Sequence, residues 1–473
     1  MAPPPILILQ MQRMGDLVLT YPLILWLQRR HRDHPIWVVA EKDFFEGLMA
    51  LSPKVFYIPW SGVDTLRARE FTMIVNLSHR PRAARLADEL RAQRKIGPVG
   101  GGAGRPTYIQ GNWQLYRASL VNNNRHNRFH WADLNALDLV SRTDMASTTW
   151  PAPIRHPHGG AEGRIGLFIG ASQEDKRPPA TFWAGLAEEC AKRALSPILL
   201  GGPAEIPLAR EIAAQVDARI PNLVGKFPVN GFAKALRGLS LLVTPDTGPM
   251  HVAAWTGIPT LNLSMGPVNP WETGPYPPGH YVLQAAMSCT GCWRCIRDRT
   301  HCRDRFTPGA VAYLAWRITQ GKTRDLGKAA LPGLALFETG RDTDGLFTLT
   351  RLNHPAATGG SAREAVSLFW NIAFGAHFGL WDHARAKACW QNIAQAHPRL
   401  RLRFLNALVQ CSRALNRALK TQRTLDNDFW TSMPPLMRPL TGYLLLDLQN
   451  SDYATEAFAR GVGMLEECIG YDA

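Results

Sequence analysis

The residues best placed to do chemistry lie in Leu241–Tyr276, LLVTPDTGPMHVAAWTGIPTLNLSMGPVNPWETGPY. An apolar run, LLVT, enters Pro245-Asp246-Thr247-Gly248-Pro249, and a helix carrying Met250, His251, Ala253, Ala254 and Trp255 follows. A strand that opens into a polar, glycine-containing helix start is a ready anion site. Unpaired backbone N–H groups and the positive end of the helix dipole point at one spot there. Asp246 and Thr247 can cap, Gly248 lets the backbone come close, and His251 faces the same mouth one turn in. The alternative is an ordinary βα turn with a good N-cap, and His251 is then a satisfied core histidine.

A second constellation is C-x2-C-x2-C-x6-C: Cys289, Cys292, Cys295 and Cys302. Four thiols in one short loop can ligate zinc or an iron–sulfur cluster. The iron–sulfur pattern draws on a distant cysteine followed by proline, whereas Cys302 precedes Arg303. Structural zinc therefore ranks first, unligated or disulfide-forming thiols second and an iron–sulfur cluster last. Cys190, Cys389, Cys411 and Cys468 read as small buried apolar residues.

Composition limits the classes. The 473 residues predict two or three domains, and 46% hydrophobic with 19% charged residues is globular. A net charge of +15 favours acidic partners: nucleoside diphosphates, phosphorylated glycolipid, an anionic membrane surface or nucleic acid. Against nucleic acid, the basic residues are scattered over many loops rather than interleaved with aromatics. No window approaches an apolar span of about 18–20 residues. Met1-Ala2-Pro3-Pro4-Pro5 lacks a basic leader, and the clustered thiols suit a reducing compartment, so a cytoplasmic location is expected.

The elements that must hold these residues alternate. Ile6–Leu9 reads as a buried parallel strand, followed by the polar turn Gln10–Asp16 and a helix from Leu17 to about Arg30. Ile36–Val39 and Met73–Leu77 read as further strands, Ala83–Lys95 as a basic helix and Pro98–Gly104 as a flexible glycine-rich loop. Pro151–Gly163 is a Pro/His/Gly linker. Beyond it the pattern repeats: strand Arg164–Ile169, turn Gly170–Pro179, helix Phe182–Arg193, strand Pro197–Leu200 and helix Phe232–Leu239. Two doubly wound α/β halves imply a cleft with ligands at the carboxyl ends of the strands. From about Leu331 the pattern changes, and Ala362–Cys468 reads as helical. GLWDHARAKACWQNIAQAHP and NSDYATEAFARGVGMLEE each resemble a helix of a two-helix repeat. The expected domains are 1–155, 160–325 with the cysteine loop 289–302, and a helical, repeat-like extension over 331–473.

These segments together resemble the heptosyltransferases of glycosyltransferase family 9. QMQRMGDLVLTYPLILWLQRR is similar to the family's opening block, and Asn76-Leu77-Ser78-His79-Arg80 with Arg94-Lys95-Ile96-Gly97 to its second. GASQEDKRPPATFWAGLAEE, LLGGPAEIPLAREIA and TPDTGPMHVAAWTGIP with MGPVNPWETGPY resemble its donor-side blocks. The ordered match spans residues 6–317. It implies a GT-B fold, two Rossmann-like domains across a cleft, and inverting transfer from a nucleotide-sugar. The implied donor is ADP-heptose and the acceptor a lipopolysaccharide core/lipid A precursor. No cofactor is implied for catalysis, and a peripheral position on the cytoplasmic face of the inner membrane is compatible with the acceptor.

With the resemblance, Asp16 is the expected general base, taking the acceptor hydroxyl's proton; otherwise it caps the helix from Leu17. Lys176 is expected to neutralise the leaving diphosphate. The sequence here, Lys176-Arg177-Pro178-Pro179, lacks the family's usual tryptophan before proline, so Lys176 and Arg177 could exchange roles; the alternative is a solvated basic turn. Glu205 is the candidate for the ribose, or a helix-start carboxylate. Asp246, Thr247, Gly248 and His251 form the diphosphate cradle. Arg80, Arg82 and Arg85, with Arg125 and Arg128, could bind acceptor anions, hold an anionic membrane surface or be a solvated face. The competing function is a catalytically degenerate scaffold acting through its helical tail.

Overall fold

The computed structural model describes residues 3–102, 104–154, 163–217, 220–293, 295, 297–353 and 361–472. Among these the strands form two sheets. The first contains β1 (Ile6–Gln10), β2 (Ile36–Ala40), β3 (Phe56–Pro59), β4 (Glu70–Asn76), β5 (Arg91–Gly100) and β6 (Thr107–Gln110), in the order β3-β2-β1-β4-β5-β6. The second contains β7 (Arg164–Phe168), β8 (Ser196–Leu200), β9 (Leu241–Pro245), β10 (Thr260–Ser264), β11 (Tyr281–Ala285), β12 (Leu334–Arg341) and β13 (Phe347–Arg351). Their order is β13-β12-β11-β10-β9-β7-β8.

Burial explains the strands. Every residue of β1, β9 and β10 is buried, as expected for parallel strands covered by helices on both faces. In each sheet the chain crosses over where strand order reverses, between β1 and β4 and between β7 and β9. Loops leaving these strands diverge there and open a crevice. Asp16 follows β1, Lys176 follows β7 and Asp246 follows β9, so topology alone sends all three to the switch points.

Three expectations are corrected. The basic helix expected to Lys95 ends at Glu89, with Leu90 already extended (φ −78, ψ 146). Arg91–Lys95 instead lies in β5, pairing Ala92 with Phe71 and Lys95 with Ile74; a partner strand overrides local helix preference. The glycine-rich loop expected from Pro98 is partly strand as well, since Gly97–Gly100 pairs antiparallel with β6. Gly97 sits at φ +88, and a Cβ there would lie 1.9 Å from the Asn76 carbonyl oxygen, so only glycine fits this bend. Third, the helical extension does not begin at Leu331. β12 and β13 form a hairpin that adds antiparallel to β11, and the succession of helices starts at Ala362. The linker expected over Pro151–Gly163 falls mostly outside the described residues.

The extension packs on both halves. Its Ala362–His377, His383–Ala396 and Pro398–Thr421 helices share an aromatic cluster of Phe369, Trp370, Trp390 and Phe404, all buried. Asn450 caps the edge of the first sheet, accepting from the Ile109 N–H at 2.6 Å and donating to its carbonyl at 3.0 Å. Arg363 donates to the Met287 carbonyl of the second half at 3.2 Å and the Arg125 carbonyl of the first at 3.3 Å.

Candidate active site at the cleft between the halves

The two switch points face each other across a cavity of 530 Å³. Asp16, Lys176, Asp246, Thr247, Gly248 and His251 all line it, together with Arg13, Asn124, Trp131, Asn269, Glu272, Thr273 and Trp293. Asp16 and Asp246, 230 residues apart in the chain, thus share one cleft with Arg13 and Lys176, the setting expected for a small-molecule site.

Asp16 is the third residue of the short helix Met14–Val18, and its Oδ2 accepts from the Arg13 N–H at 3.2 Å. The capping alternative is therefore partly realised, from inside the helix. The carboxyl is half-buried at the cleft wall. Desolvation raises its pKa above the ordinary 3.8, and Arg117 and the Arg13 N–H oppose this. A carboxylate made more basic by burial, while still open to a cleft, is suited to accept a proton. Arg117 is buried behind it, donating to the Leu77 carbonyl at 3.3 and 3.2 Å, with its guanidinium 4.9 Å from the centre of the Trp131 ring.

Opposite, Lys176 Nζ lies 3.9 Å from Asp246 Oδ2, which also accepts from Thr273 Oγ1 at 2.8 Å. At 3.9 Å the ion pair is loose, so the ammonium protons remain available to a ligand. The loop approach behind it needs Gly266: at φ +77, a Cβ there would lie 2.5 Å from the Asp175 carbonyl oxygen. His251, one turn into the Gly248–Trp255 helix, is buried with Nδ1 unpartnered among the described residues. Burial lowers its pKa to about 4, opposed by Asp246 and assisted by Lys176, so the ring is neutral at neutral pH. It is not a satisfied core histidine. The helix start is a sparser cradle than a generic one, because Pro249 removes one N–H and the Met250 N–H is already spent on the Thr247 carbonyl at 3.0 Å. Cations and side-chain donors must carry more of any anion's charge.

The halves touch at two glycines. A Cβ on Gly15 would lie 2.8 Å from His251 Cδ2 and 3.3 Å from Gly248 Cα, and one on Gly248 would lie 2.8 Å from Met14 Cε. Gly15→Ala is expected to push Asp16 away from the His251 turn. Such displacement costs on the order of 10²-fold in turnover, and steady-state kinetics with an unchanged unfolding temperature would show it; unaltered kinetics would contradict it.

Sequence reading missed the polar hinge beside this contact. Glu272 is 2% exposed and accepts from Asn124 Nδ2 at 2.6 Å and Asn127 Nδ2 at 3.0 Å. Asn269 Nδ2 donates to the carbonyls of Asn124 and Asn127 at 2.8 and 2.9 Å. Burial raises the Glu272 pKa to about 8, against the two amide hydrogen bonds and with Asp246 adding to the rise. The carboxyl is then largely protonated at neutral pH. Asn124 Oδ1, buried without a donor among the described residues, can receive that proton after a half-turn of the amide. Because the folded pKa is raised from 4.5 to about 8, this group's stability share is full below about 4.5 and is lost as pH rises through about 8. Thermal unfolding of the wild type is expected to weaken over that window. Glu272→Gln should flatten that part of the slope, and parallel slopes would overturn the assignment.

Other expected site residues lie elsewhere. Glu205 Oε2 accepts from the Gly202 N–H at 2.8 Å, the helix-start role, and does not line the cavity. Arg80 and Arg82 both donate to Glu41, Arg82 also lies 4.5 Å from the centre of the Trp60 ring, and Arg85 is exposed on the same helix. Arg125 donates to the Ser288 carbonyl, and Arg128 to the Glu364 carbonyl at 3.0 Å while lying 4.8 Å from the Trp271 ring centre. None of the five lines the cavity. Arg125 and Arg128 join the first half to the cysteine loop and the extension; the arginine at the cleft wall is Arg13.

The expected metal site at Cys289, Cys292, Cys295 and Cys302 is not formed as the side chains are placed: among the described residues no three His, Cys, Asp or Glu side chains converge as metal ligands, and all eight cysteines are free. Burial and neighbouring thiols raise the pKa of Cys292, and burial raises that of Cys302.

Two parallel-sheet halves meeting at their switch points over a polar cleft define the double-Rossmann, GT-B type of build. The family model for glycosyltransferase family 9 (heptosyltransferase) matches residues 60–300, and the chain belongs to this family. It is 34% identical over 125 residues to lipopolysaccharide heptosyltransferase 1 of Pseudomonas aeruginosa, a match covering 26% of this chain and 34% of that protein. It is 23% identical over 299 residues to lipopolysaccharide core heptosyltransferase OpsX of Haemophilus influenzae, covering 58% and 82%. The chain thus spans about a third of the first of these curated relatives. In fold it is similar to a family 9 glycosyl transferase from Veillonella parvula (TM-score 0.53, 20% identity, 67% of this chain and 97% of that one). It is similar also to ADP-heptose LPS heptosyltransferase II of E. coli (0.51, 18%, 67% and 99%). A third of this chain lies outside either likeness.

Proposed function

We propose that the chain transfers a heptose from ADP-heptose to a lipopolysaccharide core/lipid A acceptor by a single inverting displacement. One observation carries the reading: Asp16 from the first half and Lys176, Asp246, Thr247, Gly248 and His251 from the second line the same cavity. Asp16 takes the acceptor hydroxyl's proton as the oxygen attacks the anomeric carbon and the sugar–phosphate bond breaks. Lys176 balances the charge that grows on the departing diphosphate, where a fixed cation in a poorly solvated cleft acts most strongly. Neutral His251 and Thr247 donate hydrogen bonds to it, and Asp246 holds Lys176 and accepts from a sugar hydroxyl. Glu205, one loop away, is the candidate for the ribose. The choice of heptose, ADP and core acceptor rests on the names of the P. aeruginosa and H. influenzae relatives and of the E. coli structure. No metal is assigned a step, since Lys176 supplies the positive charge.

The test offers purified protein ADP-heptose, GDP-sugars and UDP-sugars in turn with a heptose-deficient core oligosaccharide. Transfer is expected with ADP-heptose in preference to the others and with inversion at the anomeric carbon. Retention, or preference for another nucleotide, would overturn the corresponding part of the reading.

A further inference from the structure

The helix Pro398–Thr421, PRLRLRFLNALVQCSRALNRALKT, contains no acidic residue. Its inner face buries Phe404, Ala407, Leu408, Cys411, Leu415 and Ala418. Its outer face exposes Arg399, Arg403, Arg413, Arg417 and Lys420. At 100° per residue these five fall within one narrow stripe, running about 30 Å along the axis at 1.5 Å per residue. Leu402, 56% exposed, lies at the stripe's edge.

Folding gives no reason for this stripe. Arg401, which points inward, forms a two-pronged pair with Asp472 at 2.6 and 2.7 Å. None of the five outward cations has a carboxylate within ion-pair distance among the described residues. Glu456 and Glu466, the acids exposed on the packed Thr455–Gly470 helix, pair with none of them. Arg399 and Arg403, like Arg413 and Arg417, are spaced i,i+4, where like charges repel. Arg399, in the first turn, also sits at the positive end of the helix dipole, where acidic residues are favoured. The helix tolerates three unfavourable charge arrangements that an external anionic surface would relieve.

We infer that this stripe is a docking surface for an anionic lipid bilayer, with the helix lying along the headgroup plane. Its length suits a plane of phosphates, and Leu402 can enter the headgroup layer. The stripe has no aromatic residue, whereas single-stranded nucleic-acid platforms stack bases on aromatics. This stripe is favoured over the Arg80–Arg82–Arg85 face as the membrane contact, since Arg80 and Arg82 share Glu41 as an ion-pair partner. The inference goes beyond the sugar-transfer reading and does not depend on it.

The test is co-sedimentation of the full chain with phosphatidylglycerol-containing vesicles and with pure phosphatidylcholine vesicles, at low and high salt, beside a DNA duplex. Binding to the anionic vesicles alone, weakened by salt, is expected. Each cation near such a surface contributes about five-fold in partition, so Arg399→Gln/Arg403→Gln and Arg413→Gln/Arg417→Gln should each lower it roughly 25-fold. Circular dichroism and unfolding temperature should be unchanged or raised, because the substitutions remove repulsion. If one paired variant misfolds, the other decides. No binding to anionic vesicles, equal binding by the paired variants, or a loss seen on DNA instead would overturn it. Transfer to a soluble, deacylated acceptor should be unaffected by these variants, so failure of docking and failure of the transferase reading are separately visible.

Discussion

Asp16→Asn is expected to lower the turnover number by roughly 10²–10⁴-fold, the contribution typical of a positioned general base, while leaving donor binding intact. Asparagine keeps the acceptor that caps the Arg13 N–H, now 3.2 Å from Asp16 Oδ2, so the Met14–Val18 helix persists. What disappears is the group able to hold a proton. The same residue fixes the acid limb of the pH profile. Its pKa is raised by burial, so activity should climb with pH through a value above 3.8, the base being useful only once ionised. Asp16→Glu keeps the charge but lengthens the arm into a wall formed by the His251 turn, and should recover only part of the rate. A variant with normal turnover and a shifted unfolding temperature would make Asp16 a helix cap and nothing more.

Lys176→Met should be nearly as severe, about 10²–10³-fold in turnover, the cost usual for removing one transition-state charge stabiliser. It has a second consequence. Asp246, its side chain 9% exposed, would keep only the Thr273 hydroxyl at 2.8 Å as a partner. An uncompensated buried carboxylate costs stability, so the unfolding temperature should fall as well. The two effects separate in the double variant. Lys176→Met/Asp246→Asn removes the orphaned charge and should regain stability but not turnover. If the double variant regained turnover, Lys176 would be only the partner of Asp246. Lys176→Arg should be intermediate, since a planar fork replaces a compact ammonium.

The site was legible to the extent that it follows from strand ends. ILIL, IGLF and LLV read as buried parallel strands because they are continuous apolar runs, and the polar residues after them had to fall at sheet mouths. That was enough to bring Asp16, Lys176 and the Asp246–His251 turn together. It left Glu205 between two roles, because an acidic residue three positions after a glycine on a helix start serves the local N–H equally well; Glu205 does accept from the Gly202 N–H, and its ribose role stays a proposal. Basic composition misled twice. In β5 the pairing with β4 outweighed the helical look of RAQRK, and at Arg125 and Arg128 cations that look solvent-seeking are half-buried, donating to carbonyls, with Arg128 also over an aromatic ring. The hairpin β12–β13 was hidden because its residues follow a helix-rich segment and gain a partner only from β11, about fifty residues earlier in the chain. The Asn124–Glu272 contact joins residues 148 apart. No local pattern announces it, although the Asn-rich run Asn122–Asn127 is itself a signal that polar partners must exist somewhere.

A net +15 is uninformative by itself, but five cations stand without a carboxylate partner among the described residues along one helix that lies outside residues 60–300, which the family model matches.

The most direct test of the central claim, that one cleft joins a base from the first half to a leaving-group site from the second, is a transfer assay with matched detection of both products. ADP release and sugar-bearing acceptor would be followed for the wild type, Asp16→Asn and Lys176→Met under identical conditions. The expected result is equal amounts of ADP and glycosylated acceptor from the wild type, and both products lowered together by about 10²-fold or more in the two folded variants. It would be contradicted by a wild type that makes neither product from any nucleoside-diphosphate sugar, or by variants from opposite sides of the cleft that both transfer at the wild-type rate.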